Sequence, residues 1–102
     1  MRIIDLDATN WNKGLDFYNA LLAALGAPEW HSPGIGPLLE SMVWMKINEV
    51  NPPYTVRIRN TAAMPAEIRN EIDLLNDYLE KDRAEFTKRN GSDAEVRIEI
   101  VP

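Results

Sequence analysis

Cysteine is absent from this chain, histidine occurs once, and no apolar run approaches the length of a membrane span. Without thiols there is no disulfide, no thiolate nucleophile and no thiolate metal site. The single histidine, His31, does not make an ordinary zinc set without cysteine beside it. Basic residues are also scarce: 11 Lys and Arg stand against 16 Asp and Glu, a formal net charge of -5 and a pI near 4.8. A general nucleic-acid binder needs a basic footprint, so direct nucleic-acid binding is not expected. An acidic surface suits solubility and also suits a basic partner. The opening MRIIDLDATNW carries acids where a signal peptide would be apolar. The expectation is a cytoplasmic protein with no membrane contact, one domain over residues 1–102 resting on its core alone.

What is present is a regular alternation of short strand and helix patterns, with no internal repeat, low-complexity tract or linker. Arg2 to Leu6 is a short strand candidate, and Thr9, Asn10 and Asn12 follow as possible N-cap oxygens. From Asn12 to Leu25, the residues Leu15, Tyr18, Leu22 and Leu25 recur at helical spacing, with Phe17 and Leu21 widening the stripe. Gly26 is the natural stop, and Pro28 blocks further helix. A second helix is expected over Ile35 to Ile47, with Leu38, Met42 and Met45 on its buried side. Tyr54 to Asn60 alternates as a half-buried strand. Pro65 opens a long helix from about Ala66 to Asn90, whose buried stripe is Ile68, Ile72, Leu75, Leu79 and Phe86. Ala94 to Val101 alternates again. Helices between successive strands favour parallel pairing and right-handed crossovers, so the pattern predicts a small α/β domain with a three-stranded parallel sheet and three to four helices. Charged alternate positions on the last two strands suggest that one sheet face is only partly covered.

The segment most suggestive of function is Pro28 to Glu40, PEWHSPGIGPLLE. Trp30 and His31 sit together in a Pro- and Gly-rich loop. By the helical turn, Glu40 lies about 200 degrees around the axis from Leu38 and so points away from the core. Trp44, four residues on, is expected on the same face as Glu40. It either packs beneath another segment, such as the long loop before the second strand, or joins an interface. Trp30 is open in the same way, as a core lid or as an anchor for a partner. His31 with Glu29 or Glu40 could form a histidine–carboxylate pair, but a general base also needs a pocket and an orienting partner, and no serine elbow, metal-ligand spacing or phosphate loop accompanies it. Gly34-Ile35-Gly36 lacks the preceding strand and remaining glycines of a dinucleotide loop. No enzymatic role, cofactor, metal or small-molecule substrate is expected.

The order strand, helix, aromatic loop reading PEW, helix with an outward carboxylate, strand, helix, strand resembles the barstar family, intracellular inhibitors of secreted ribonucleases of the barnase type. The resemblance covers nearly the whole chain in organisation and is concentrated in Leu25 to Glu40 and Val96 to Val101. It implies a barstar-like fold and an inhibitor or immunity protein whose loop and second helix plug a basic ribonuclease or related toxin. By position, Trp30 and His31 match the family's aromatic pair and Glu40 its key carboxylate. Gly34, Ile35, Gly36, Leu39 and Trp44 fall at or beside contact positions. The chain departs from the family where Glu40 replaces an aspartate, Gly36 an acid, Leu39 an aromatic, Ser32 a glycine and Pro33 an acid. Those changes imply a partner other than barnase. The alternative is an interaction or oligomerisation module that kept the scaffold and changed its partner.

Overall fold

A computed structural model describes residues 2–102. The described elements are β1 (Arg2–Asp7), α1 (Gly14–Leu25), α2 (Ile35–Leu39) running directly into a π turn (Glu40–Trp44), β2 (Tyr54–Arg59), α3 (Ala66–Asn90) and β3 (Val96–Ile100). The three strands form one parallel sheet, as the alternation of strands and helices predicts, and their order, which the alternation leaves open, is β1-β2-β3. The register places Val56 between Ile4 and Ile98, and Arg57 between Asp5 and Glu99.

That register separates two faces. Ile4, Leu6, Tyr54, Val56, Ile58 and Val96 are buried and share one core with Phe17, Leu21 and Leu25 of α1, Leu38 of α2, Met42 of the π turn, and Ile68, Ile72, Leu75 and Leu79 of α3. The opposite face is the charged, partly covered one expected from the alternation. It is crossed by ion pairs from Arg59 to Asp5 (3.4 Å) and Arg57 to Glu99 (3.9 Å), each half exposed. Such pairs are worth little individually, so the apolar face carries the stability.

Several local expectations need correction. The helix α1 begins at Gly14 rather than Asn12, and none of the proposed N-cap oxygens caps it. Instead the Asp16 carboxylate reaches back and accepts the backbone N–H of Asn12 (2.8 Å) and of Lys13 (3.2 Å), which holds this carboxyl below the usual range. Thr9 is engaged by Asp7, which accepts its backbone N–H and its hydroxyl. The buried stripe of α1 is Phe17, Tyr18, Leu21 and Leu25, while Leu15 is exposed. Tyr18 earns a partner across the helix interface, donating its hydroxyl to Glu71 at 2.6 Å.

Gly26 ends α1 in the left-handed region (φ 66°), where a side chain is strained. A Cβ at this position would also stand 2.7 Å from the Cβ of Glu49. That close approach lets the chain return along the end of α1, with Glu49 and Val50 donating to the carbonyls of Gly26 and Leu25. The third helix, α3, runs unbroken for 25 residues.

The second helix departs most from its sequence pattern. It stops at Trp44, three residues before the expected Ile47, and its second half is a π turn. Met45 is already extended, and its N–H donates to the Glu40 carbonyl at 2.6 Å. Met45 is therefore exposed, not part of the buried stripe.

Candidate functional site

The loop after α1 turns at Pro28, whose carbonyl accepts the backbone N–H of His31 at 2.9 Å. The two rings then part. The Trp30 side chain is 73% exposed, while His31 is buried at 8%. They remain stacked, with ring centroids 6.5 Å apart and planes 15° from parallel. Trp30 thus lies on the outside of the loop and His31 beneath it.

Gly34 opens α2 with φ at 131°, a conformation L side chains rarely adopt. Ile35 and Leu39, four residues apart, pack partly against the core, and Leu38 is buried. Gly36, Pro37 and Glu40 are exposed. Glu40 therefore points outward, as the helical period requires, and among the described residues no hydrogen bond or ion pair engages its carboxylate.

The π turn decides what stands beside Glu40. A turn closed by i to i+5 bonds advances through a smaller angle per residue than an α turn, so Trp44 is rotated away from its α-helical position, and the chain leaves the helix at Met45. Met45 takes the place expected for Trp44. Trp44 is instead rotated onto α3, where its indole N–H donates to the Asp82 carboxylate (3.0 Å) and its ring meets Phe86 (5.4 Å between centroids). The Arg89 guanidinium covers the ring at 5.4 Å. Trp44 is half buried in this clasp, so the segment it packs against is α3.

Trp30, His31, Ser32, Pro37, Glu40, Met45 and Ile47 line one open cleft of about 200 Å³. Its walls are mostly apolar, with one carboxylate at the rim. Of the residues singled out in the sequence, the fold brings Trp30, His31 and Glu40 together here. Gly34 and Gly36 shape the backbone, Ile35 and Leu39 support it from below, and Trp44 lies elsewhere. Pro37, Met45 and Ile47 went unread as site residues, because a helix continued through Ile47 turns Met45 inward.

Ser41 was also missed, and it holds the site together from within. It is 3% exposed, and its hydroxyl lies 2.7 Å from His31 Nε2 and 3.3 Å from the Leu38 carbonyl. His31 Nδ1 is 2.8 Å from the Ser32 carbonyl. A lone hydroxyl among Leu38, Met42 and Val43 was the available signal. The pair has the residue types of a nucleophile and base, but Ser41 is sealed from any substrate.

Larger depressions lie elsewhere. One of about 320 Å³ is rimmed by Glu80, Arg83, Arg97 and Glu99, whose charges balance, and Arg83 is engaged by Asp93. Another of about 360 Å³ lies between Trp11, Asn60 and Met64. Neither combines an exposed aromatic ring with an unengaged charge. Among the described residues no group of three or more His, Asp or Glu could hold a metal ion. Among the described residues no helix is long and apolar enough to cross a membrane. No protein-family model matches the chain, and no curated protein matches it.

Proposed function

We propose that this chain is a barstar-like inhibitor, a non-catalytic immunity protein that blocks the active site of a basic ribonuclease-type toxin in the cytoplasm. The observation that carries the reading is the cleft in which an exposed Trp30 ring and an unengaged Glu40 carboxylate stand together. A ribonuclease holds its phosphodiester with Arg, Lys and His. A carboxylate on the rim of a helix can take charge-assisted hydrogen bonds from such a cluster, while Trp30, Pro37 and Met45 supply apolar area around it. The net charge of -5 steers a basic partner toward the chain. The element order and the parallel sheet fit a barstar-like scaffold. With Gly36 and Leu39 in place of the family's acid and aromatic, the surface holds one main acid and more apolar character, which suits a partner different from barnase.

The oligomerisation alternative drew on two exposed tryptophans, and Trp44 packs on α3 instead. Titration against a secreted ribonuclease encoded beside this chain tests the proposal. Stoichiometric loss of RNA cleavage is expected. Full ribonuclease activity in the presence of excess protein refutes it for that target, and a stable dimer by light scattering that buries Trp30 would move the assignment to oligomerisation.

A further inference from the structure

We propose that His31 and Ser41 form a tautomer-specific clamp that seats Trp30 for partner docking, with the docking clause resting on the function proposed above. The argument starts from which atoms can donate. The Ser32 oxygen is a carbonyl and only accepts, so at 2.8 Å His31 Nδ1 must carry a proton. The opposite tautomer would face a ring lone pair with a carbonyl lone pair. In the neutral ring Nε2 then has only a lone pair, and the hydroxyl 2.7 Å away must donate to it. Ser41 has one hydroxyl proton and two acceptors within reach, Nε2 at 2.7 Å and the Leu38 carbonyl at 3.3 Å. The shorter contact takes it. Turning the hydroxyl toward Leu38 would need a proton on both ring nitrogens, and that cation would be buried with no hydrogen-bonded carboxylate.

The clamp therefore joins two pieces of chain. The loop supplies His31 and the Ser32 carbonyl, and the π turn supplies Ser41. The ring so fixed is the floor on which Trp30 stacks at 15°. His31 is a positioning residue: it lines the cleft, but both of its polar atoms are spent inside the protein. A loop free to move would present Trp30 to a partner only part of the time, and apparent affinity falls by the fraction of time it is presented. Ser41→Ala leaves Nε2 buried and unpartnered, which converts to roughly a tenfold fall in the ratio of clamped to unclamped loop.

The experiment uses the full chain, in which His31 gives the only imidazole signals. Long-range proton–nitrogen NMR at pH 8 should find Nδ1 protonated and Nε2 bare. A protonated Nε2 with a bare Nδ1 overturns the clamp. In Ser41→Ala, hydrogen exchange at the His31 amide should quicken about tenfold while the amides of β2 keep their rates; unchanged loop exchange overturns it. Should Ser41→Ala not fold, His31→Gln, whose amide retains one donor and one acceptor, should protect the loop better than His31→Ala, and equal protection overturns the clamp. Against the neighbouring ribonuclease, Ser41→Ala should weaken inhibition by the factor by which the clamped fraction of the loop, read from its exchange protection, falls. Inhibition unchanged where the clamped fraction falls, or weakened where it does not, refutes the docking clause. If the wild-type chain inhibits no ribonuclease, the proposed function fails while the tautomer and exchange results still decide the clamp.

Discussion

Replacing Trp44 by phenylalanine tests whether the π turn has made this tryptophan a structural clasp. The change removes the indole N–H that donates to Asp82 at 3.0 Å and keeps a ring facing Phe86 and Arg89. Hydrogen bonds to charged groups contribute about 1.5–3 kcal/mol. Both partners here are only half buried, so water recovers part of what is lost, and about 1–2 kcal/mol is expected. For a chain of this size that corresponds to a fall in Tm of roughly 5–10 °C. Urea denaturation should show the midpoint moving down with an unchanged slope, since the unfolded state is not altered. A double-mutant cycle with Asp82→Ala isolates the bond from the lost ring area and should return a coupling near 1 kcal/mol. Glu40→Ala is the control: an exposed, unengaged side chain should change stability by less than about 0.5 kcal/mol. If Trp44→Phe is neutral and the cycle strictly additive, Trp44 is not clasped to α3, and the account of how the π turn redirects it is wrong.

Under the inhibitor reading, Glu40→Ala should weaken binding to the target ribonuclease by about 2 kcal/mol or more, as central interface acids do; an unchanged Kd by calorimetry would remove Glu40 from the interface. Tyr54→Phe should be neutral or stabilise by up to about 1 kcal/mol, because the Tyr54 hydroxyl is fully buried without a partner among the described residues and burial pushes its phenol up. A loss greater than about 1 kcal/mol in chemical denaturation would reveal a partner for that hydroxyl. Hydrogen bonds from the Thr9 hydroxyl and the Asn60 amide pull the Asp7 carboxyl from 3.8 down to about 2. Its contribution is therefore complete above pH 3.8 and is lost as pH falls through about 2. Asp7→Asn should flatten that part of an acid-unfolding curve followed by circular dichroism, and an identical acid limb in both proteins would show that Asp7 is not linked to folding.

Some features of the fold were legible because their causes are local. Period-two alternation in Tyr54–Arg59 and Val96–Ile100 and period-3.6 stripes in α1 and α3 report which side of each element is buried. The stop at Gly26 was legible because a left-handed residue after an apolar helix has few other solutions. The start of α1 was not, since Asp16 capping from inside the helix competes with any of three upstream oxygens. Leu15 was misplaced for a related reason: a wide stripe including Phe17 and Leu21 can be centred in more than one way, and the sheet beneath it chooses.

The candidate site divides along the same line. The outward direction of Glu40 follows from its offset to Leu38 within a single turn, and the grouping of Trp30 with His31 from their adjacency. Whether residue 44 or 45 stands beside Glu40 depends on a π turn, and no residue within Glu40–Trp44 signals one. It is coupled to Asp82, Phe86 and Arg89, some forty positions away, which offer the indole a carboxylate, a ring and a cation on α3. The burial of His31 likewise required Ser41 to be delivered beneath the loop. Residue order thus sufficed for the elements and for one carboxylate facing solvent. Packing of the second helix on the third chose the neighbours of that carboxylate, because a helix turn widens or tightens to suit the surface it meets.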